Sequence, residues 1–254
     1  LVANIGFLQA DALSQTAPSY PDQNFIIVDS VVDEPNVGSY TFMEHEGSFL
    51  VGKLAGLLST QEFSAGAGTT KPDQKSVGFV GGVKSSLIKK FEAGFRAGVT
   101  SVDSGFDVQS SYVGSFNDPS AGKEAALAMY NGGADIVYHA SGNTGTGVFQ
   151  AAKEKGRFAI GVDKDQSLTK PSYADVIISS MAKRVDTAVY NAIGSVVDGE
   201  FEGGSVTSLG LSDDGVANVY GDQLGSEVPQ SVKDAVATAR QDIIDGEISV
   251  PKDP

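Results

Sequence analysis

Short apolar runs alternate with amphipathic stretches along most of the chain. Runs typical of β-strands occur at residues 25–29, 77–80, 108–113, 136–139, 159–162 and 176–180. Stretches with helical spacing occur at 46–59, 85–102, 121–132, 147–156, 182–198 and 230–245. Strands that alternate with helices at this spacing predict βαβ units and a parallel sheet, so the predicted fold class is α/β.

Each predicted strand ends in a polar or glycine-rich turn before the next helix. These turns occupy residues 29–30, 81–82, 114–118, 141–145 and 163–165. The carboxyl ends of parallel strands are where ligands bind in open α/β sheets, so we expect functional groups in these turns. Two other segments, 64–75 and 199–212, lack periodicity and are predicted to be linkers.

Composition restricts the class of protein further. The chain has 254 residues with 41% hydrophobic content, which suits one large folded domain or two lobes. Eighteen basic against 32 acidic residues give a net charge of -14, which disfavours nucleic acids and anionic lipid headgroups as partners. Ordinary solubility and adaptation to high salt both remain open as reasons for this acidity. The absence of cysteine excludes disulfides, thiol nucleophiles and cysteine-ligated metals.

Few residues suggest catalysis. His45 and His139 are the two histidines, and they lack metal-ligand spacing; we expect a solvated or capping role for His45 and a hydrogen-bonded structural role for His139. The chain has no Gly-x-Ser-x-Gly elbow, Walker A loop or His-Glu-x-x-His motif. We therefore expect no enzyme activity, no metal and no cofactor, although an enzyme on a Rossmann-like fold remains the alternative from another class.

Residues suited to ligand binding stand in the strand-end turns. Phe116 is an aromatic residue in a polar turn, where it offers a face for a ring to stack on or else covers its own strand. Gly142 belongs to a turn whose N–H groups could meet an anion or a sugar hydroxyl, or which is simply a tight turn.

Charged residues near the ends of three strands are further candidates. Asp29, Asp163 and Asp165 could accept hydrogen bonds from vicinal hydroxyls, or could cap the helices that follow. Lys183 could donate to the same ligand, or could be a surface lysine.

Seven motifs in one order resemble a known family. They are IVDS at 27–30, FMEHEGSFLVG at 42–52, VGFVGG at 77–82, FEAGF at 91–95, YVGSFND at 112–118, GVDKDQ at 161–166 and KRVD at 183–186. Together they resemble the basic membrane protein family, the substrate-binding lipoproteins of ABC importers that include purine nucleoside receptors. The resemblance extends from the first residues to about residue 245.

The resemblance implies a type I periplasmic-binding-protein fold with two Rossmann-like lobes, joined by three crossovers and closing on a ligand. Lobe one would hold residues 1–73 and 180–205, and lobe two residues 74–179 and 206–254. By the same resemblance, Phe116 stacks on the base, Asp29, Asp163 and Lys183 hold the ribose, and the Gly142 turn lines the pocket. The implied protein is a monomeric, extracytoplasmic receptor that delivers a purine nucleoside to a permease and an ATPase.

The beginning of the chain departs from the family pattern. Family members begin with a strand and an Asp-x-Gly-x-x-Asp-x-Ser-Phe-Asn loop, whereas residues 1–7 here look like an internal strand and 11–17 like the next helix. We therefore expect N-terminal βαβ units, a second stacking aromatic and a lipid-bearing cysteine to belong to polypeptide outside this chain. The ligand consequently stays open between a nucleoside, a nucleobase, riboflavin and a sugar, and the function between an importer's receptor and a sensor for a signalling partner.

Overall fold

The structure is a computed structural model that describes residues 1–254. Contacts divide the chain into two compact units. The smaller unit comprises Leu1–Met43 and Lys183–Val216, and the larger unit comprises Glu44–Ala182 and Ala217–Pro254. The chain therefore passes from one unit to the other three times, as the three crossovers of the expected fold require.

Strands and helices alternate in the predicted order. In chain order the strands are β1 Val2–Ile5, β2 Phe25–Val28, β3 Val37–Phe42, β4 Ser64–Ala65, β5 Gly68–Thr69, β6 Ser76–Gly81, β7 Asp107–Tyr112, β8 Ile136–Ala140, β9 Phe158–Asp163, β10 Ile177–Lys183, β11 Val206–Leu209 and β12 Val216–Tyr220. The helices are α1 Ala10–Thr16, α2 Glu44–Ser59, α3 Ser86–Thr100, α4 Pro119–Asn131, α5 Gly145–Lys155, α6 Gln166–Thr169, α7 Val185–Val197 and α8 Gln230–Ile244.

The smaller unit has a four-stranded sheet in the order β1-β2-β3-β11, in which all neighbours are parallel. All four residues of β2 are buried because this strand has a neighbour on each side, whereas the edge strand β1 is mostly exposed. Leu13 and Ala17 cover one face of this sheet, where they pack against Phe25 and Ile27. The hydrophobic core of this unit therefore lies between α1 and the first strands.

The larger unit has a six-stranded sheet in the order β12-β10-β9-β8-β6-β7. Every residue of β6, β8 and β10 is buried, which explains why these segments read as apolar runs without alternation. Helices α2 and α3 pack closely against each other: a Cβ at Gly98 would overlap the carbonyl oxygen of Phe49, so a larger residue does not fit there. This close approach places α2 in the larger unit.

Both predicted linkers contain strands, so those two predictions were wrong. β4 and β5 form a hairpin within 64–75, and Arg157 holds it by donating to the carbonyl oxygen of Thr69 at 2.7 Å. β11 lies within 199–212 and pairs with β3. Short strands with polar side chains give no periodic signal in the sequence. In β11, three of the four residues are exposed.

The compact units also differ from the predicted lobes at residues 44–73, 180–182 and 206–216. Helix α2 was placed in lobe one, but it packs against α3 of the larger unit. Strand β11 was placed in lobe two, but its pairing with β3 puts it in the sheet of the smaller unit. In both cases the tertiary partner lies far away in the sequence.

Candidate functional site

Four of the predicted site residues follow strands of the larger sheet, at its carboxyl edge. Phe116 follows β7, Gly142 follows β8, Asp163 ends β9, and Asp165 stands two residues later. Parallel strands bring the loops that follow them to one edge. The order β9-β8-β6-β7 therefore places these loops and the loop after β6 side by side.

Phe116 is half-buried, and its ring lies against Gly82 at the end of β6. A Cβ at Gly82 would overlap the ring carbons Cδ1 and Cε1, so the ring occupies the space that a side chain would take. Phe116 also contacts Gly142, where a Cβ would stand 3.0 Å from the Phe116 carbonyl oxygen. Gly142 has a φ of 57°, a left-handed conformation that glycine adopts without strain.

Asp163 is exposed and adopts a φ of 68° as the last residue of β9. Aspartate tolerates this left-handed conformation better than most residues, yet the conformation is uncommon and is typical of functional turns. Asp165 shows the capping role that was its alternative interpretation. Its Oδ1 accepts hydrogen bonds from the backbone N–H of Ser167 at 2.9 Å and from the Ser167 hydroxyl at 2.6 Å.

Asp29 and Lys183 form an ion pair in the smaller unit. The Lys183 Nζ donates to both carboxylate oxygens of Asp29, at 2.8 and 2.7 Å, and lies 5.4 Å from the centre of the Phe42 ring. The side chain of Lys183 is 6% exposed and that of Asp29 14%, so Lys183 is not a surface lysine. Asp29 has a φ of 71°, and thus the same left-handed backbone at a strand end as Asp163.

The six predicted residues therefore fall into two groups. Phe116 and Gly142 touch each other in the larger unit, with Asp163 and Asp165 after the neighbouring strand. Asp29 and Lys183 touch each other in the smaller unit.

Both histidines are buried. His139 is fully buried, its Nε2 lies 2.8 Å from the side-chain oxygen of Gln166, and burial lowers its pKa to about 4. The same Gln166 oxygen accepts from the backbone N–H of Val162, which ties the turn around Asp163 to β8. His45 is also buried, with a pKa lowered to about 4 chiefly by burial, so the expectation of a solvated side chain was wrong.

Sequence reasoning missed Gly82 and Thr144 as neighbours of Phe116. Thr144 donates its backbone N–H to the Phe116 carbonyl oxygen at 3.2 Å, across 28 residues of sequence. The doubled glycine 81–82 and the SGNTG turn were visible signals, but neither pointed to Phe116.

No group of acidic residues and histidines in the chain has an arrangement that could hold a metal ion. Each helix is too short or too polar to cross a membrane. The larger unit thus offers an aromatic face, small turns and carboxylates, and the smaller unit offers a carboxylate paired with an ammonium. Each set by itself is suited to contacts with a polar organic molecule.

Comparisons with known proteins give the family. The sequence profile of the Bmp family, described as "ABC transporter substrate-binding protein PnrA-like", matches residues 1–254. The "ABC transporter nucleoside-binding protein BmpA" of Lactococcus lactis subsp. cremoris is 40% identical over 99% of this chain and 71% of its own length. "Basic membrane protein D" of Borreliella burgdorferi is 35% identical over 100% of this chain and 71% of its own length.

A solved structure agrees with these relatives. A solute-binding protein of an ABC transporter system from Aeropyrum pernix K1 superposes with a TM-score of 0.81 at 28% identity, over 99% of this chain and 78% of that one. Its class confirms the type I periplasmic-binding-protein fold inferred from the motifs. The chain belongs to the Bmp family of PnrA-like substrate-binding proteins of ABC transporters.

Proposed function

We propose that this protein binds a purine nucleoside outside the cytoplasm and delivers it to the permease and ATPase of an ABC importer. The observation that carries the proposal is Phe116, an aromatic ring held at the carboxyl edge of the larger sheet where solute ligands bind in α/β folds. The 40% identical relative from Lactococcus lactis is named a nucleoside-binding protein, which supports the choice of ligand.

The ring of Phe116 would stack on the purine base. Offset stacking of an aromatic side chain on a planar ring contributes about 0.5–1.5 kcal/mol beyond the area it buries. The ring is half-buried against Gly82, so its orientation is fixed before ligand arrives and little further ordering is needed.

Carboxylates would accept hydrogen bonds from the ribose hydroxyls. Asp163 is exposed at the strand end, and two carboxylate oxygens can accept from two vicinal hydroxyls. Asp165 has committed its Oδ1 to the cap of α6, so a contact with ligand would come from its Oδ2. Taken by itself, the smaller unit offers one oriented carboxylate: Lys183 donates to both oxygens of Asp29, and each of these oxygens keeps a lone pair for a hydroxyl donor.

A neutral nucleoside agrees with the charge of the protein. The chain carries a net charge of -14, so a phosphorylated ligand would meet repulsion that a nucleoside does not. We further propose that a lipid anchors the protein to the membrane, a proposal that the membrane-protein name of the Borreliella burgdorferi relative supports.

Isothermal titration calorimetry with inosine, guanosine and adenosine tests the proposal. We expect Phe116→Ala and Asp163→Asn each to weaken binding at least about tenfold, because each removes a contact worth about 1.4 kcal/mol or more. Matched controls are Leu168→Ala, which removes an exposed apolar side chain, and Asp107→Asn, which changes an exposed aspartate at the opposite end of the sheet.

The outcomes separate the site from the ligand. Unchanged affinity in both site variants would show that the nucleoside binds elsewhere. If the wild-type protein binds none of the three nucleosides, a thermal-shift panel with adenine, riboflavin and ribose decides among the alternative ligands, because a ligand well above its Kd raises Tm.

A further inference from the structure

The loop that carries Phe116 is attached to the following turn through one buried threonine. Thr144 is fully buried and makes three hydrogen bonds to this loop. Its hydroxyl donates to the carbonyl oxygen of Ser115 at 3.0 Å and accepts from the backbone N–H of Asp118 at 2.8 Å. Its backbone N–H donates to the carbonyl oxygen of Phe116 itself at 3.2 Å. The residues before and after Phe116 are thus fixed by the same side chain.

Gly82 determines where the ring of Phe116 lies. The loop after β6 reaches the ring through Gly82, where any Cβ would overlap two ring carbons. Gly82 also donates its N–H to the carbonyl oxygen of Ala140 at 3.0 Å, and its own carbonyl oxygen accepts from Gly114 at 2.8 Å. This backbone therefore cannot move aside without breaking two hydrogen bonds.

We infer that Thr144 and Gly82 are positioning residues for ligand binding: Thr144 holds the backbone on both sides of Phe116, and Gly82 provides the surface on which its ring rests. The inference rests on the proposed function, because it assigns these residues to the stacking contact of Phe116. Neither residue needs to touch the ligand.

The threonine hydroxyl has a specific part in this arrangement. Valine has nearly the same shape but no hydroxyl, so Thr144→Val leaves the Asp118 N–H and the Ser115 carbonyl oxygen without this partner. Serine keeps the hydroxyl and loses only a methyl group. A loop that is no longer held must be ordered when the ligand binds, and that ordering reduces affinity.

Calorimetry with the nucleoside that binds wild type tests the role of Thr144. We expect Thr144→Val to weaken binding about tenfold and Thr144→Ser to stay within about threefold of wild type. The control is Thr100→Val, which removes an exposed hydroxyl at the end of α3 whose hydrogen bonds go to the carbonyl oxygens of Arg96 and Ala97.

A double-mutant cycle distinguishes positioning from a general structural role. Once Phe116 is alanine there is no ring to position, so adding Thr144→Val should cost less than about twofold further. If the affinity loss of the double variant equals the product of the losses of the two single variants, Thr144 supports the fold without acting through Phe116. If Thr144→Val binds the nucleoside with wild-type affinity, the inference is overturned directly.

Two further measurements complete the test. Gly82→Ala should weaken nucleoside binding at least about tenfold by displacing the ring, and unchanged affinity would remove Gly82 from the inference. Amide hydrogen exchange needs no ligand: the N–H of Asp118 should exchange faster in Thr144→Val than in Thr144→Ser. If wild type binds no nucleoside, the proposed function fails, and equal exchange in the two variants would overturn the role of Thr144 independently.

Discussion

Replacing Asp29 with asparagine removes the negative charge that faces Lys183 while keeping the shape of the side chain. Asparagine also tolerates the left-handed φ of 71° at this position, so the substitution leaves the backbone unstrained. The Lys183 ammonium, which is 6% exposed, then loses the charged carboxylate of Asp29. The measured effect therefore reports the ion pair and not the turn.

The geometry gives the size of the effect. The Lys183 Nζ lies 2.7 and 2.8 Å from the two carboxylate oxygens, and both side chains are largely buried. Breaking a buried pair by removing one partner costs about 3–5 kcal/mol. Asparagine keeps one oxygen acceptor, so we expect about 3 kcal/mol, which corresponds to a Tm lower by about 6–12 °C for a chain of this size.

A double-mutant cycle checks that this energy belongs to the pair. We expect Asp29→Asn combined with Lys183→Met to be less destabilised than the sum of the single variants by about 1–2 kcal/mol. Thermal and urea unfolding followed by circular dichroism at pH 7 supply the free energies. The matched control is Asp186→Asn, which breaks the exposed pair with Arg184 in the same unit and should cost about 1 kcal/mol or less.

The reasoning has a clear point of failure. If Asp29→Asn is no more destabilising than Asp186→Asn, or if the cycle is additive, then Lys183 and Asp29 do not pair in solution. The orientation that we assign to the Asp29 carboxylate in ligand binding would fall with it.

Three further predictions concern stability. Burial, helped by nearby lysines, lowers the pKa of His45 to about 4 from the usual 6.5, so the unfolded chain binds more protons between these values. Stability should fall as the pH drops from 6.5 towards 4, and His45→Gln should flatten that slope in urea unfolding. Arg157→Met removes the guanidinium that lies 3.0 Å from the carboxylate of the fully buried Asp135. We expect it to lower the free energy of unfolding by about 3–5 kcal/mol in the same assay, and a decrease under about 1 kcal/mol would contradict a formed ion pair. Gly98→Ala should destabilise because its Cβ meets the α2 backbone, whereas Gly194→Ala on open helix surface should stabilise by about 1 kcal/mol; equal Tm values would refute the close helix contact.

Local sequence patterns predicted most of the regular structure. All six predicted strands and all six predicted helices are present, with ends displaced by three residues or fewer. They were visible because strands buried on both faces read as apolar runs, and helices with one buried face read with a 3.6-residue period. Among the strands that were missed, β4 and β5 have two residues each, and β3 contains the polar residues Ser39 and Thr41, so neither a long apolar run nor a clear alternation marks them.

The candidate site, like the fold, has features that the sequence predicts and features that only the structure shows. Phe116, Asp29 and Asp163 could be chosen as candidates from the sequence because the turns that follow parallel strands lie at the edge of the sheet where ligands bind. For Asp165 the sequence left two roles open, ligand binding and helix capping, and it did not indicate which of the two applies. That depended on the hydroxyl of Ser167 lying 2.6 Å away.

The sequence by itself determined the α/β class, the order of elements, the family and the turns that hold candidate ligand-binding groups. Each of these depends on residues close together along the chain, where side-chain pattern and backbone preference act directly. Only the tertiary structure decided that Lys183 pairs with Asp29 across 154 residues, that Thr144 holds the Phe116 loop, and that α2 packs against α3. Those contacts depend on where the whole chain brings distant segments, and a local pattern carries no information about a partner that far away.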